Sequence, residues 1–525
     1  MNAFVASTEG LDALVRVTAP CGQLIGRKRG TKRGTKRDEV AVFKGIPYAQ
    51  PPVGVLRWRP PQRMTRWEGE RLALEFGPAP IQHLPSRSSL MYRLNHDDAN
   101  ALVMSEDCLY LNVWTPSVER DTNLPVLVWI HGGANRTGHG GQALFDGSRL
   151  AARGMVVVTV NMRLGALGFL SLPQLAEEDA HGASGNYGVQ DVVAALEWVQ
   201  ENIAAFGGDS SRVTIAGNSA GAAMVTHLMA APSARGYFRA AIGQSLSAIF
   251  RPELRMTPHH VAAEAGLAAM SSLATSLDAL RDLPATAFLH TPPQNVVIDG
   301  RLLTEDTVDV FMDGRQARVP LLVGWNADEG SLYATQQALQ ELRLAHLDAH
   351  ARAVLEAAYA GVDGEWAGEA RRRLVGDRRF AYPVWRWART HAETSGAPTW
   401  AYEFDHRLPL PDRLAPPPDG GDEYGAFHTA ELPYTWDNLA ARPWAWSDAD
   451  HEVARCLADT WTRFVVSGDP NGQALPLWPS FDLSKQQHLM RLGAHPEPIG
   501  TPRRQAFEVF DQLYFSAVRS RGANQ

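Results

Sequence analysis

Five runs of consecutive apolar residues interrupt the polar background of the chain: Pro125–Ile130 (PVLVWI), Met155–Val160 (MVVVTV), Val213–Ala216 (VTIA), Pro320–Trp325 (PLLVGW) and Thr399–Phe404 (TWAYEF). Short continuous runs rich in Val, Ile and Leu are the pattern of strands buried on both faces, as in a parallel sheet covered by helices. Between the second and third runs lies a helical stretch, Tyr187–Phe206. There Val189, Val192, Val193, Leu196, Val199 and Ile203 recur at helical spacing, while Asp191, Glu197 and Glu201 supply the polar face. A second helix is predicted over Leu342–Ala360. The alternation of strands with amphipathic helices predicts an α/β fold with a large, mostly parallel central sheet flanked by helices. The Pro-rich stretch Pro409–Asp419 reads as an excursion within one unit, because candidate chemistry lies on both sides of it. Residues 1–525 are therefore expected to form a single domain.

Composition narrows the class. The chain has 525 residues, 45% hydrophobic and 20% charged, and its 15 Trp, 18 Phe and 12 Tyr exceed what a disordered chain carries. Its longest apolar runs, Leu124–Ile130 and Met155–Val160, fall far short of the ~20 residues that span a bilayer. Met1–Ser7 has no basic segment of a secretion signal, so a cytoplasmic location is expected. Three cysteines exclude a disulfide scaffold and leave at least one thiol unpaired or shared with another chain.

The net charge of −7 is unevenly spread. Residues 27–37 (RKRGTKRGTKR) hold seven of the 50 basic residues, so the rest carries 43 basic against 57 acidic ones. An acidic body argues against a nucleic-acid surface across the fold. The basic run lies between the strand-like pieces Gly22–Ile25 and Val40–Phe43. It reads as a solvated insertion at a hairpin tip, with a local polyanion contact as the alternative.

The chemistry concentrates in two glycine-rich turns. Gly217-Asn218-Ser219-Ala220-Gly221 fits G-x-S-x-G, with the strand VTIA before it and an Ala-rich helix, Ala222–Ala231, after it. That strand–turn–helix setting lifts a serine hydroxyl above the edge of a sheet, and the glycines relieve clashes in so tight a turn. A glycine-rich connection with a bystander serine is the plainer alternative. His131-Gly132-Gly133-Ala134 follows the strand PVLVWI. Small residues there let backbone N–H groups approach a developing oxyanion, where one donor contributes roughly 3–4 kcal/mol.

Several longer motifs then occur in order: Phe43–Arg59 (FKGIPYAQPPVGVLRWR), Glu106–Pro116 (EDCLYLNVWTP), Asn161–Phe169 (NMRLGALGF), Phe206–Gly221 (FGGDSSRVTIAGNSAG), Gly324–Ser331 (GWNADEGS) and Gly425–Tyr434 (GAFHTAELPY). Together they make the chain resemble, over nearly its whole length, the type-B carboxylesterases, the cholinesterase-like and para-nitrobenzyl-esterase-like group of the α/β-hydrolase superfamily. The resemblance implies Ser219 as nucleophile, Glu329 as acid and His428 as base, with the backbone N–H groups of Gly133, Ala134 and Ala220 as oxyanion hole. It also implies long loops and helices that wall an active-site gorge. The order Ser…Glu…His agrees with that fold. The expected partners are a small-molecule ester and water, with no metal and no cofactor. A non-catalytic binding module of the same family is the alternative from another class; carbamates, thioesters and polyesters are alternative substrates.

Four departures from the family pattern bear on substrate. Asn218 stands where the resemblance expects a glutamate beside the nucleophile, which argues against a choline ester and for a neutral or anionic one. The loop Asn135-Arg136-Thr137 replaces an aromatic residue, and Arg136 either meets a substrate carboxylate through its planar fork or points to solvent. Leu246 stands where a glycine is usual, and with Phe250 is expected to reshape the acyl site. Pro80 occupies the place of the cysteine that usually pairs with Cys108, leaving Cys108 a free thiol. Two further spacings are weak: His346 and His350 at i, i+4 lack a third metal ligand, and His451-Glu452 lacks the second histidine of a zincin motif, Arg455 standing in its place. The sequence leaves the oligomeric state open.

Overall fold

The computed structural model describes residues 13–30, 39–96, 101–251, 255–274, 276–341, 347–359, 368–412, 414–418, 421, 423–473, 475–483 and 487–522, with the backbone alone over 518–522. Its centre is a sheet of 13 strands. In chain order these are β1 (Leu14–Ala19), β2 (Gly22–Gly30), β3 (Glu39–Pro47), β4 (Glu70–Leu72), β5 (Tyr110–Thr115), β6 (Leu124–Ile130), β7 (Val156–Val160), β8 (Gly208–Asn218), β9 (Ala240–Gln244), β10 (Leu321–Asn326), β11 (Thr399–Phe404), β12 (Leu489–Leu492) and β13 (Glu497–Ile499). They lie in the order β1-β2-β3-β5-β7-β6-β8-β9-β10-β11-β12-β13, with β4 beside β2. From β7 to β12 every pairing is parallel; β1, β2, β3 and β5 pair antiparallel at one side and β13 at the other.

The predicted parallel strands are all present, and their unbroken apolar runs have the expected cause. Along β6, Val126, Val128 and Ile130 face one apolar layer while Leu127 and Trp129 face the other. The first layer includes α1 (Tyr187–Asn202), α2 (Ala220–Ala230), α4 (Tyr382–Ser395) and α6 (Arg504–Gly522); the second includes α5 (Asp448–Ser467). A shorter helix, α3 (Gly368–Gly376), packs under the turn that follows β10. Strands from both sides of the Pro-rich stretch join this one sheet.

Three expectations need correction. The helix α1 ends at Asn202 and passes into a 3₁₀ turn, Ile203–Phe206. Within it Asp191 is fully buried rather than on the polar face, because Arg163 from the NMRLGALGF motif grips it, Nη2 to Oδ1 at 2.7 Å and Nε to Oδ2 at 2.9 Å. The predicted helix Leu342–Ala360 is interrupted at 347–348 and its described helical part is Ala349–Tyr359, where the Asp348 carboxylate accepts the Ala351 N–H at 2.7 Å and starts a new first turn. Residues 342–346, including His346, lie outside the described residues, as do 31–37 of the basic run. The described part of that run, residues 27–30, lies on β2 in register with 42–39 of β3.

None of Cys21, Cys108 and Cys456 is in a disulfide. Burial pushes the Cys108 thiol far above its ordinary pKa, so it is a packed and unreactive group. Among the described residues no helix is long and apolar enough to cross a membrane.

Candidate active site

Parallel register brings the chemistry to one edge. Gly217 pairs with Ile130, and Asn218 with Gln244, so the residues that follow β6, β8, β9 and β10 emerge together at the carboxyl ends of the strands. That edge is where open α/β sheets form ligand crevices.

Ser219 sits at the turn between β8 and α2 with φ 55° and ψ −124°, a backbone conformation costly for a residue with a Cβ. Its N–H donates to the Gln244 carbonyl at 2.7 Å and its carbonyl accepts from Ala223 at 3.0 Å, so the turn is held from both sides. The flanking glycines are a steric requirement. A Cβ on Gly221 would meet the Ile130 carbonyl oxygen at 2.1 Å, and one on Gly217 would meet the Gly221 carbonyl at 2.4 Å. Ala220 opens α2, and N–H groups of a first helical turn have no intrahelical acceptor.

The loop after β6 approaches this turn from the side. Gly133 (φ 113°), Ala134 (φ 55°) and Asn135 (φ 56°) all take positive φ. The Gly133 carbonyl accepts from Arg136 N–H at 2.9 Å and Thr137 N–H at 3.0 Å, and the Asn135 carbonyl accepts Gly165 N–H at 2.7 Å. The loop is thus closed on its own carbonyl, with Gly133 and Ala134 on the cavity wall. A Cβ on Gly132 would lie 2.8 Å from the Asn218 carbonyl and 3.2 Å from the Ser219 Cβ. Burial drives His131 and His139 nearby down to about 4 and about 3, which favours their neutral forms.

The remaining groups come from two loops tied to each other. Glu329 follows β10, and its Oε1 accepts the Asn326 N–H at 2.9 Å. Its Oε2 lies 2.6 Å from His428 Nδ1, both side chains being buried. Asp328 aligns the two loops, accepting Ala426 N–H on Oδ2 at 2.9 Å and donating its own N–H to the Ala426 carbonyl at 2.9 Å. The imidazole of His428 packs against Phe380 at 4.5 Å and edge-on to Tyr333 at 5.5 Å. A carboxylate on Nδ1 fixes the ring orientation and leaves Nε2 to accept a proton.

Ser219, His428, Gly133, Ala134, Asn218 and Arg136 line one cavity of about 420 Å³. Asn135, Leu246 and Phe250 are not among its lining residues. Phe250 instead turns into the core, fully buried, with its ring 5.5 Å from Tyr514 and under the Arg386 guanidinium at 5.0 Å.

One buried carboxylate was not singled out by the sequence reading. Glu431, three residues after His428, accepts from Asn326 Nδ2 at 2.6 Å, Gln244 Nε2 at 3.0 Å and Asn218 Nδ2 at 3.2 Å. Burial, and then the charge of Glu329, raises it to about 7. Its position inside GAFHTAELPY, flanked by apolar residues, was the available signal; its three amide partners come from distant segments and left none.

A family model described as "Carboxylesterase family" matches residues 13–510. Fumonisin B1 esterase of Sphingopyxis macrogoltabida is 33% identical over 87% of this chain and 84% of its own. Para-nitrobenzyl esterase of Bacillus subtilis is 33% identical over 89% and 94%. A solved PNB esterase structure superposes with a TM-score of 0.75 at 29% identity, covering 94% of this chain and 99% of that one. The chain belongs to the carboxylesterase family, as a type-B carboxylesterase of α/β-hydrolase fold and a carboxylic ester hydrolase.

Proposed function

We propose that the chain cleaves carboxylic esters through an acyl-enzyme on Ser219, with His428 as base and Glu329 as its orienting acid. The observation that carries this reading is the strained Ser219 in one cavity with a buried His428 whose Nδ1 is bound to Glu329 at 2.6 Å. Ser219 Oγ attacks the ester carbonyl while His428 Nε2 takes its proton. The tetrahedral oxyanion is met by the N–H groups of Gly133, Ala134 and Ala220, and collapse expels the alcohol, protonated by His428. Water, deprotonated by His428, then releases the acid and restores Ser219.

Asn218 supports a neutral or anionic ester rather than a cationic one, because its amide brings no fixed charge beside the nucleophile. The relatives whose names denote an esterase for fumonisin B1 or para-nitrobenzyl groups are in keeping with a non-choline ester. Carbamates and thioesters would pass through the same steps and belong in the same substrate panel.

The test is a serine-directed organophosphonate followed by mapping of the labelled peptide. Label on Ser219, lost in Ser219→Ala together with a fall in turnover of about 10⁴-fold or more, is expected. A Ser219→Ala protein that keeps most of its esterase activity overturns the mechanism, and an unlabelled, inactive wild type supports the binding-module alternative.

A further inference from the structure

Several arginines near the site are held in ion pairs. Arg163 holds Asp191 at 2.7 Å, Arg57 holds Glu106 at 2.5 Å, and Arg153 holds Asp437 at 2.7 Å. Arg136 is exposed on the wall of the Ser219 cavity and has no carboxylate or carbonyl partner among the described residues. The described lining contains no aspartate or glutamate at all; besides Arg136 its titratable side chains are three histidines and one tyrosine. This absence stands out in a chain with 57 acidic against 50 basic residues.

The backbone under Arg136 is fixed. Its N–H closes on the Gly133 carbonyl at 2.9 Å, and Thr137 closes on the same oxygen at 3.0 Å. The guanidinium is thus carried on the loop that presents the Gly133 and Ala134 amides. A ligand group held there is positioned relative to the oxyanion donors by two or three peptide units of one tight turn. The neutral Asn218 amide, on the other side of the nucleophile, adds no charge that would repel an anion.

We propose that this cavity selects esters bearing a free carboxylate, and that Arg136 is the group that recognises it. The inference rests on the Ser219 esterase reading above. A guanidinium fork meets a carboxylate through two parallel hydrogen bonds, and no acidic side chain among the described lining residues competes for it. The carboxylate can sit on the acyl part, as in a hemi-ester of a dicarboxylic acid, or on the alcohol part. In both cases it is the same group, and the protein's overall negative charge makes a local cation the means of admitting it.

Two matched pairs of substrates distinguish these sources. One pair compares p-nitrophenyl butyrate with the p-nitrophenyl hemi-ester of glutaric acid; the other compares phenyl butyrate with 4-(butyryloxy)benzoate. For each pair the ratio of kcat/KM, carboxylate over neutral, is measured for wild type, Arg136→Ala and Arg136→Lys. At least one ratio is expected to fall about tenfold or more in Arg136→Ala, through KM, with Arg136→Lys in between. The pair that responds identifies the side. Added salt is expected to lower that ratio in wild type and to leave it level in Arg136→Ala. If wild type cleaves the neutral esters and neither ratio moves on substitution, the inference fails while the esterase reading stands. If wild type cleaves none of the four and takes no organophosphonate label, the esterase reading fails and the inference with it.

Discussion

At Ser219 a φ of 55° with ψ −124° stores strain of order 1–3 kcal/mol that only the surrounding contacts can hold. Those contacts run through Gln244, which accepts the Ser219 N–H on its backbone and donates its side-chain amide to Glu431. Glu431 therefore sits at the centre of the support beneath the nucleophile, tied also to Asn218 and to Asn326. Burial and the Glu329 charge raise its pKa from 4.5 to about 7. The folded chain thus binds this proton more tightly than the unfolded one does. Its contribution to stability is complete below about pH 4.5 and is lost as pH rises through about 7. Glu431→Gln removes the titration, so the melting temperature of the variant should vary less between pH 5 and pH 8 than that of wild type. Parallel pH profiles of the two proteins would refute the assignment.

At the scale of elements, the site depends on how closely β6, β8 and α2 approach. Gly221, in the first turn of α2, leaves no room for a methyl group: a Cβ would stand 2.1 Å from the Ile130 carbonyl and 2.9 Å from that of His131. Gly221→Ala should cost about 1–3 kcal/mol in urea unfolding through overpacking. It should also lower kcat, since the displaced strand end carries the Gly133–Ala134 loop. An alanine variant with wild-type midpoint and turnover would show that the contact is not needed. The sequence made this element legible, because G-x-S-x-G between an apolar strand and an Ala-rich helix has one steric reason to exist. The strand runs β6, β7, β10 and β11 were legible for the same kind of reason, being buried on both faces. The strand β9 (AAIGQ) was not, since it is short, small in side-chain volume, and carries Gly243, where a Cβ would strike the Trp387 ring at 2.3 Å. The break at Asp348 and the burial of Asp191 depend on a cap and an ion pair that a helical period does not encode.

Over the whole molecule, one sheet running from Leu14 to Ile499 gathers loops from widely separated segments at a single edge. Ser219, Glu329 and His428 were legible in the motifs that carry them, and the structure draws all three to that edge. Asn218 and Arg136, chosen as departures from the family pattern, line the cavity with them, whereas Asn135, Leu246 and Phe250 do not. The difference is physical: motif residues are fixed by turns whose geometry the sequence encodes. A residue some distance past a motif is placed by packing partners such as Tyr514, which lies 264 positions beyond Phe250. The most direct test of the account is a rapid-mixing experiment with a p-nitrophenyl ester, read together with the intact mass of quenched protein. An acyl-enzyme on Ser219 predicts release of close to one equivalent of p-nitrophenolate per chain wherever deacylation is the slower step, with the matching acyl mass on the Ser219 peptide. Turnover with the acyl group on any other residue, or undiminished turnover in Ser219→Ala, would contradict it.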